Sequence, residues 1–141
     1  MKLVRKKILL LCTGNSCRSQ MAYGFIRKAG WLAFSAGTIP ESEVNPYAVK
    51  VMAEIGLDIS QNHPKSVKEY LDDDFYLVAT VCDNARESCP VFSGKCEKNI
   101  HHSFIDPAIA PGNNEEKLEV FRNLRDEIRA WVKKSNIYMN T

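Results

Sequence analysis

The sequence predicts an α/β fold in which a parallel sheet lies between layers of helices. Three observations carry that reading. Strand-like and helix-like stretches alternate along the chain, the order that βαβ units produce. The stretches "KILLLC" and "FYLVATVC" are almost continuously apolar, as strands buried on both faces must be. A chain of 141 residues, 45% apolar and 26% charged, suits one domain, 1–141, around a single core.

The elements follow in order. "KILLLC" reads as the first buried strand. Ser19 to Lys28 reads as a helix closed near Gly30, and "LAFSAG" as a second strand ending at Gly37. In "NPYAVKVMAEIG", Asn45 is the expected N-cap and Pro46 the first helical residue. Gly56 falls just past the end, with Val49, Met52 and Ala53 as the apolar face. A short helix is expected around Val67 to Leu71. "FYLVATVC" is then a third buried strand and "KNIHHSFID" a shorter fourth. The last helix, "NNEEKLEVFRNLRDEIRAWVKK", opens with Asn113 and Glu116 at capping-box spacing. Leu118, Phe121, Leu124, Ile128 and Trp131 or Val132 recur on one face. In such a sheet ligands bind beyond the carboxyl ends of the strands. Cys12 and Cys82 both fall at such ends.

Composition excludes several partners. A formal net charge of +2 gives no reason to expect nucleic acid or a membrane. The basic start "MKLVRKKILLLC" leads into Gly14 and Arg18 rather than a cleavage site, so a cytoplasmic protein is expected. Five cysteines, an odd number, argue against a secreted disulfide framework. There is no CxxC pair, and His63, His101 and His102 are not at zinc-ligand spacings, so no metal site is expected. His101 and His102 read as strand residues, and Asp72 to Asp74 as a solvated turn.

The stretch "LLLCTGNSCRSQMA" carries the chemistry. A strand ends at Cys12, a helix begins near Ser19, and Thr13, Gly14, Asn15, Ser16, Cys17 and Arg18 turn between them. Gly14 and Asn15 tolerate positive φ, so the backbone can curl with its N–H groups inward. Such a nest at a helix N-terminus binds a tetrahedral oxyanion, and Arg18 can add a two-pronged contact. The same positive surroundings are expected to lower the Cys12 pKa, giving a nucleophilic thiolate under the anion. Asn15 is expected to order the loop. Ser19 is expected either to hydrogen-bond the Cys12 sulfur or to cap the helix.

With "CTGNSCRSQMA", the chain resembles low-molecular-weight protein tyrosine phosphatases. More closely, it resembles the thioredoxin-coupled arsenate reductases that share their fold. The resemblance continues through "FSAGT", "NPYAVKVMAEIGLDIS", "VATVCDNARESCP" and "DPAIAPGNNEEKLEVFRNLRDEI". It implies a three-layer sandwich with a four-stranded parallel sheet flanked by helices. The phosphatase loop implies Cys12 as nucleophile, Arg18 as anion clamp and Asp106, in "IDP", as general acid. Aromatic residues that grip a phosphotyrosine ring follow that Asp-Pro in the phosphatases. Here Ala108, Ile109 and Ala110 follow, which suits a small anion.

The arsenate reductase resemblance implies a relay of Cys12, Cys82 and Cys89. Arsenate is reduced to arsenite while a disulfide forms, and thioredoxin recycles the enzyme. Were residues 82–89 helical, the two Cα atoms would stand about 10 Å apart. A disulfide needs less than about 7 Å, so the segment must refold to close the bond. Cys17 matches the loop but has no step in the scheme, and Cys96 is expected to be an exposed thiol. Many relatives carry Glu after "QMA", and in some members it contributes to a monovalent-cation site near the loop; no cofactor is expected here beyond a possible monovalent cation, which Tyr23 in place of that Glu disfavours. A phosphatase with incidental Cys82 and Cys89, or a non-catalytic redox-sensing or oxyanion-binding module, are the alternatives.

Overall fold

A computed structural model describes residues 6–83 and 91–135 of the chain. Cys89 lies outside them. The strands are β1 (Lys7–Cys12), β2 (Leu32–Gly37), β3 (Asp74–Thr80) and β4 (Lys95–His101), and the helices are α1 (Arg18–Lys28), α2 (Pro46–Ala53) and α3 (Asn114–Lys134). The four strands form one sheet in the order β2-β1-β3-β4, and every pairing is parallel. Cys12 stands level with Gly37, and Leu11 with Thr80. All strand carboxyl ends therefore share one edge, where β1 is flanked on both sides.

One face of the sheet carries the larger core. Ile8, Leu10 and Cys12 of β1 pack there with Leu77 and Ala79 of β3. Met21, Phe25 and Ile26 of α1 and Phe121 and Ile128 of α3 cover them. Burying each such large side chain is worth about 1.5–3 kcal/mol. On α3, Leu118, Phe121, Leu124, Ile128 and Val132 are buried, as the spacing predicts, and the Asn113–Glu116 capping box is formed in both directions. On α2 the buried residues are Ala48, Val51 and Met52. That face is rotated from the expected one, because α2 packs against α3 and leaves Ala53 exposed. Arg125 of α3 bonds the Val51 carbonyl and Glu54 across this contact.

The opposite face is thinner. Leu9, Leu11, Ala36, Phe75 and Val78 are covered there by Phe92 and by a 3-10 turn, Val67–Tyr70. Phe34, Tyr70, Phe75 and Phe92 meet through tilted and edge-on rings 5.5–6.1 Å apart, geometry that aromatic quadrupoles favour.

Two strand ends differ from expectation. β3 stops at Thr80, so Cys82 lies two residues past it, fully buried. β4 covers Lys95–His101 rather than 98–106. Its residues alternate exposed and half-buried, as an edge strand allows, so no apolar run announces it. Cys96 is half-buried on that edge rather than exposed. His101 closes β4, and His102 stacks on Phe104. Among the described residues no helix is long and apolar enough to cross a membrane.

Candidate active site

β1 ends at Cys12 and α1 begins at Arg18, leaving a five-residue turn at the sheet's carboxyl edge. Its carbonyls all point outward because each has a donor waiting. Ile39 N–H donates to Thr13 O (3.0 Å), Glu41 N–H to Gly14 O (2.9 Å) and Asn45 N–H to Ser16 O (3.0 Å). Gln20 Nε2 donates to Asn15 O (3.1 Å), and Met21 N–H to Cys17 O (2.9 Å). In a planar trans peptide the N–H points opposite its carbonyl. Fixing five carbonyls outward therefore turns the amides of residues 14–18 inward. The Asn15 N–H shows the result, donating to Cys12 Sγ at 3.1 Å.

Asn15 has φ of 53° and is the non-glycine residue with positive φ among the described residues. Gly14 does not adopt positive φ. Its lack of a Cβ matters instead for space, since a Cβ there would stand 3.0 Å from Glu41 Cγ. The Asn15 side chain is buried, and both of its polar atoms are bonded. Its Nδ2 donates to Ser19 Oγ (2.7 Å), and its Oδ1 accepts from Lys65 N–H (2.9 Å) and Gln20 Nε2 (3.2 Å). Ser19 Oγ in turn lies 2.9 Å from Cys12 Sγ. The helix N-cap is Cys17, which makes no side-chain cap bond, so Ser19 serves the sulfur and not the helix end.

Gly37 is a residue that sequence reasoning passed over as a strand end. A Cβ at Gly37 would stand 2.4 Å from Thr13 O and 3.0 Å from Asn15 N. Only glycine lets β2 approach the loop this closely. The Gly37 N–H donates to Lys65 O, so Lys65 splints Gly37 to Asn15 through its own backbone.

Arg18 is buried at 4% exposure. Its Nη1 donates to Phe104 O (3.0 Å) and its Nη2 lies 4.0 Å from Asp106 Oδ2. The guanidinium thus ties the arm 104–109 to the loop. Asp106 is one-third exposed and accepts the Ala108 N–H at 3.0 Å through its other oxygen, capping a short 3-10 turn at Pro107–Ile109. A cavity of about 320 Å³ opens between loop and arm. Thr13, Gly14, Ser16 and Cys17 line it with Cys12, Asn15 and Arg18, and Ile39, Glu41, Asp83, Asp106, Ala108 and Ile109 complete it. No aromatic side chain does so among the described residues.

The cysteines divide clearly. Cys12, Cys17 and Cys96 carry free thiols, whereas the Cys82 sulfur is engaged in a disulfide. Burial pushes the Cys17 thiol up to about 12, against a lowering hydrogen bond from Ser16, so it stays protonated. The Val81 N–H donates to Leu11 O, which sets residues 81–82 beside Leu11–Cys12. Asp83 follows, buried and on the cavity wall.

Asn15 Oδ1 and the His63 carbonyl each already accept two N–H groups, Lys65 Nζ among them, and Gln20 Oε1 accepts from Asn62. Tyr23 brings no carboxylate, and no three His, Cys, Asp or Glu side chains converge among the described residues.

Comparison with known proteins agrees with this geometry. The model of low molecular weight phosphotyrosine protein phosphatases matches residues 7–135. The chain belongs to that family. Within the family it is similar to an arsenate reductase of Halalkalibacterium halodurans, 46% identical over 132 residues, covering 92% of this chain and 94% of the relative. The arsenate reductase of Bacillus subtilis is 42% identical over 126 residues, covering 87% and 89%. Among solved structures, an arsenate reductase in the oxidised state has a TM-score of 0.76 at 30% identity, covering 96% of this chain and 98% of the other. A low molecular weight protein tyrosine phosphatase from T. tengcongensis has a TM-score of 0.67 at 28% identity, covering 92% and 96%.

Proposed function

We propose that this protein is a cytoplasmic arsenate reductase that uses Cys12, Cys82 and Cys89 in turn and is recycled by thioredoxin. One observation carries the choice within the family. A free Cys12 thiol lies under a cavity that no aromatic side chain lines among the described residues, while Cys82, just past the end of the neighbouring strand β3, is in a disulfide. A phosphatase has no use for that second sulfur, and phosphotyrosine would find no ring to stack on.

In this reading the Cys12 sulfur attacks arsenic, held by the amides of residues 14–18 and by Arg18. An S–As bond forms as a hydroxyl leaves, protonated by Asp106 to water. The Cys82 thiolate then attacks the Cys12 sulfur. The S–As bond breaks with its electron pair passing to arsenic, and arsenite departs. Two thiols have become one disulfide, which supplies both electrons. Cys89 attacks Cys82, releasing Cys12, and an external dithiol reduces the final bond. Ser19 and the Asn15 amide hold the Cys12 sulfur between cycles. Thr13, Gly14, Ser16 and Cys17 contribute backbone, and the cycle needs no resident metal or cofactor.

The test is NADPH consumption with thioredoxin, thioredoxin reductase and arsenate. Turnover in the wild type that is lost in Cys89→Ser supports the relay. No arsenate turnover, beside brisk aryl phosphate hydrolysis by both proteins, overturns it in favour of a phosphatase, for which the loop and Asp106 would equally serve.

A further inference from the structure

The oxyanion cavity carries a carboxylate that the scheme above does not use. Residues 38–45 run as a strap along the loop, pinned by the Ile39, Glu41 and Asn45 amides. Glu41 is exposed, and its side chain lies across Gly14. The point where a Gly14 Cβ would stand is 3.0 Å from Glu41 Cγ and 3.5 Å from Oε1. Among the described residues its carboxylate has no ion-pair or hydrogen-bond partner. Among the described residues the only cation on the cavity wall is Arg18, which is buried and already faces Asp106. An unpaired negative charge at the mouth of an anion site weakens what the site is built to bind, and it does so in proportion to the charge on the anion.

We propose that Glu41 is a specificity-determining residue, a charge filter that disfavours doubly charged tetrahedral oxyanions relative to singly charged ones. Sulfate carries two charges at any physiological pH, whereas arsenate near neutrality exists partly as the singly charged acid. The filter therefore keeps an abundant competitor of the same shape out of the loop while admitting arsenate. The inference rests on the oxyanion site proposed above, but not on the thiol relay.

The experiment compares wild type, Glu41→Gln and Glu43→Gln in fully reduced protein at pH 8 and fixed ionic strength. Sulfate and perchlorate, one shape with two charges and one, are titrated as protectants of Cys12 against iodoacetamide. The Cys12 peptide is followed by mass spectrometry. Glu41→Gln leaves the strap intact, because its hydrogen bond to Gly14 comes from the backbone. Removing one charge acts twice on a dianion, so the gain for sulfate is the square of the gain for perchlorate: about ninefold where perchlorate gains about threefold. Glu43, exposed and off the cavity wall, serves as the control, and its Gln variant changes neither constant. Equal gains for both anions, or none, overturn the filter while leaving the oxyanion site standing. Failure of both anions to protect Cys12, in wild type and Glu41→Gln alike, overturns the site itself, and the filter with it.

Discussion

The loop 13–17 and the arm 104–109 face each other across the same cavity, yet they are held very differently. Every loop carbonyl has a donor, from the strap 39–45 or from Gln20 and Met21 of α1, and the Asn15 side chain adds three more bonds. On the arm Asp106, the acid of the proposed mechanism, is one-third exposed, with one capping bond and a 4.0 Å approach to Arg18. The difference follows from what each must do. Amides that stabilise an oxyanion work only if already aimed, so that no reorganisation is needed at the moment of reaction. A general acid must meet a leaving group and then give up its proton, which a side chain locked in a tight pair does poorly.

Breaking the arm should therefore separate from breaking the loop. In Asp106→Asn, arsenate turnover falls by about 10²–10⁴, the range for losing a general acid, while sulfate still protects Cys12. Loss of protection along with rate would show that Asp106 organises the anion site and that the division drawn here is false. The complementary change is Gly37→Ala, which drives a methyl toward Thr13 O. Overpacking costs about 1–3 kcal/mol in thermal unfolding, and misplacing the loop by about 1 Å costs roughly 100-fold in rate. Here protection and turnover fall together, and an unchanged protection constant would mean the loop yields without harm.

The smallest effect belongs to an ion pair away from both. Glu54 accepts from Arg122 and Arg125, and the Arg122 hydrogen bonds hold its carboxyl below the usual range. The Arg122 pair is partly exposed and Arg125 keeps Asp126 and the Val51 carbonyl as partners, so Glu54→Gln lowers Tm by no more than about 2 °C at pH 7. A carboxyl with a lowered folded pKa stabilises above its unfolded pKa and loses that contribution as pH falls through the folded value. The Tm difference should close across that acid window, with arsenate turnover at pH 7 unchanged.

What could be read from the sequence tracks how local each feature is. The loop, its cysteine and its arginine sit within eight residues between a buried strand and a helix, and they fold as the spacing predicts. The α3 boundaries follow from Asn113, Glu116 and an unbroken apolar period. The strap is different. Its contribution is backbone N–H from Ile39, Glu41 and Asn45, which any residue but proline could supply, so no motif marks it. Gly37 becomes recognisable only once the register puts it level with Cys12. Gly14 and Asn15 both tolerate positive φ, and Asn15 is the one that adopts it, while Gly14 gives room beside Glu41. β4 was placed too late because an edge strand reading "KCEKNIH" has polar residues on both faces.

The splint formed by Lys65 has a further consequence. The cradle draws on residues 12–20, 37–45, 65 and 104–106, so it exists only when β2 has docked on β1 and the segment after α2 has come home. No fragment of the chain can hold the anion, and occupancy reports on completion of the whole structure. By mass action, a ligand that binds only the finished fold shifts the unfolding equilibrium by RT ln(1 + [L]/Kd), about 2.7 kcal/mol at a hundredfold excess over Kd. The substrate thereby lengthens the life of the protein that removes it, by starving proteases of the open chain.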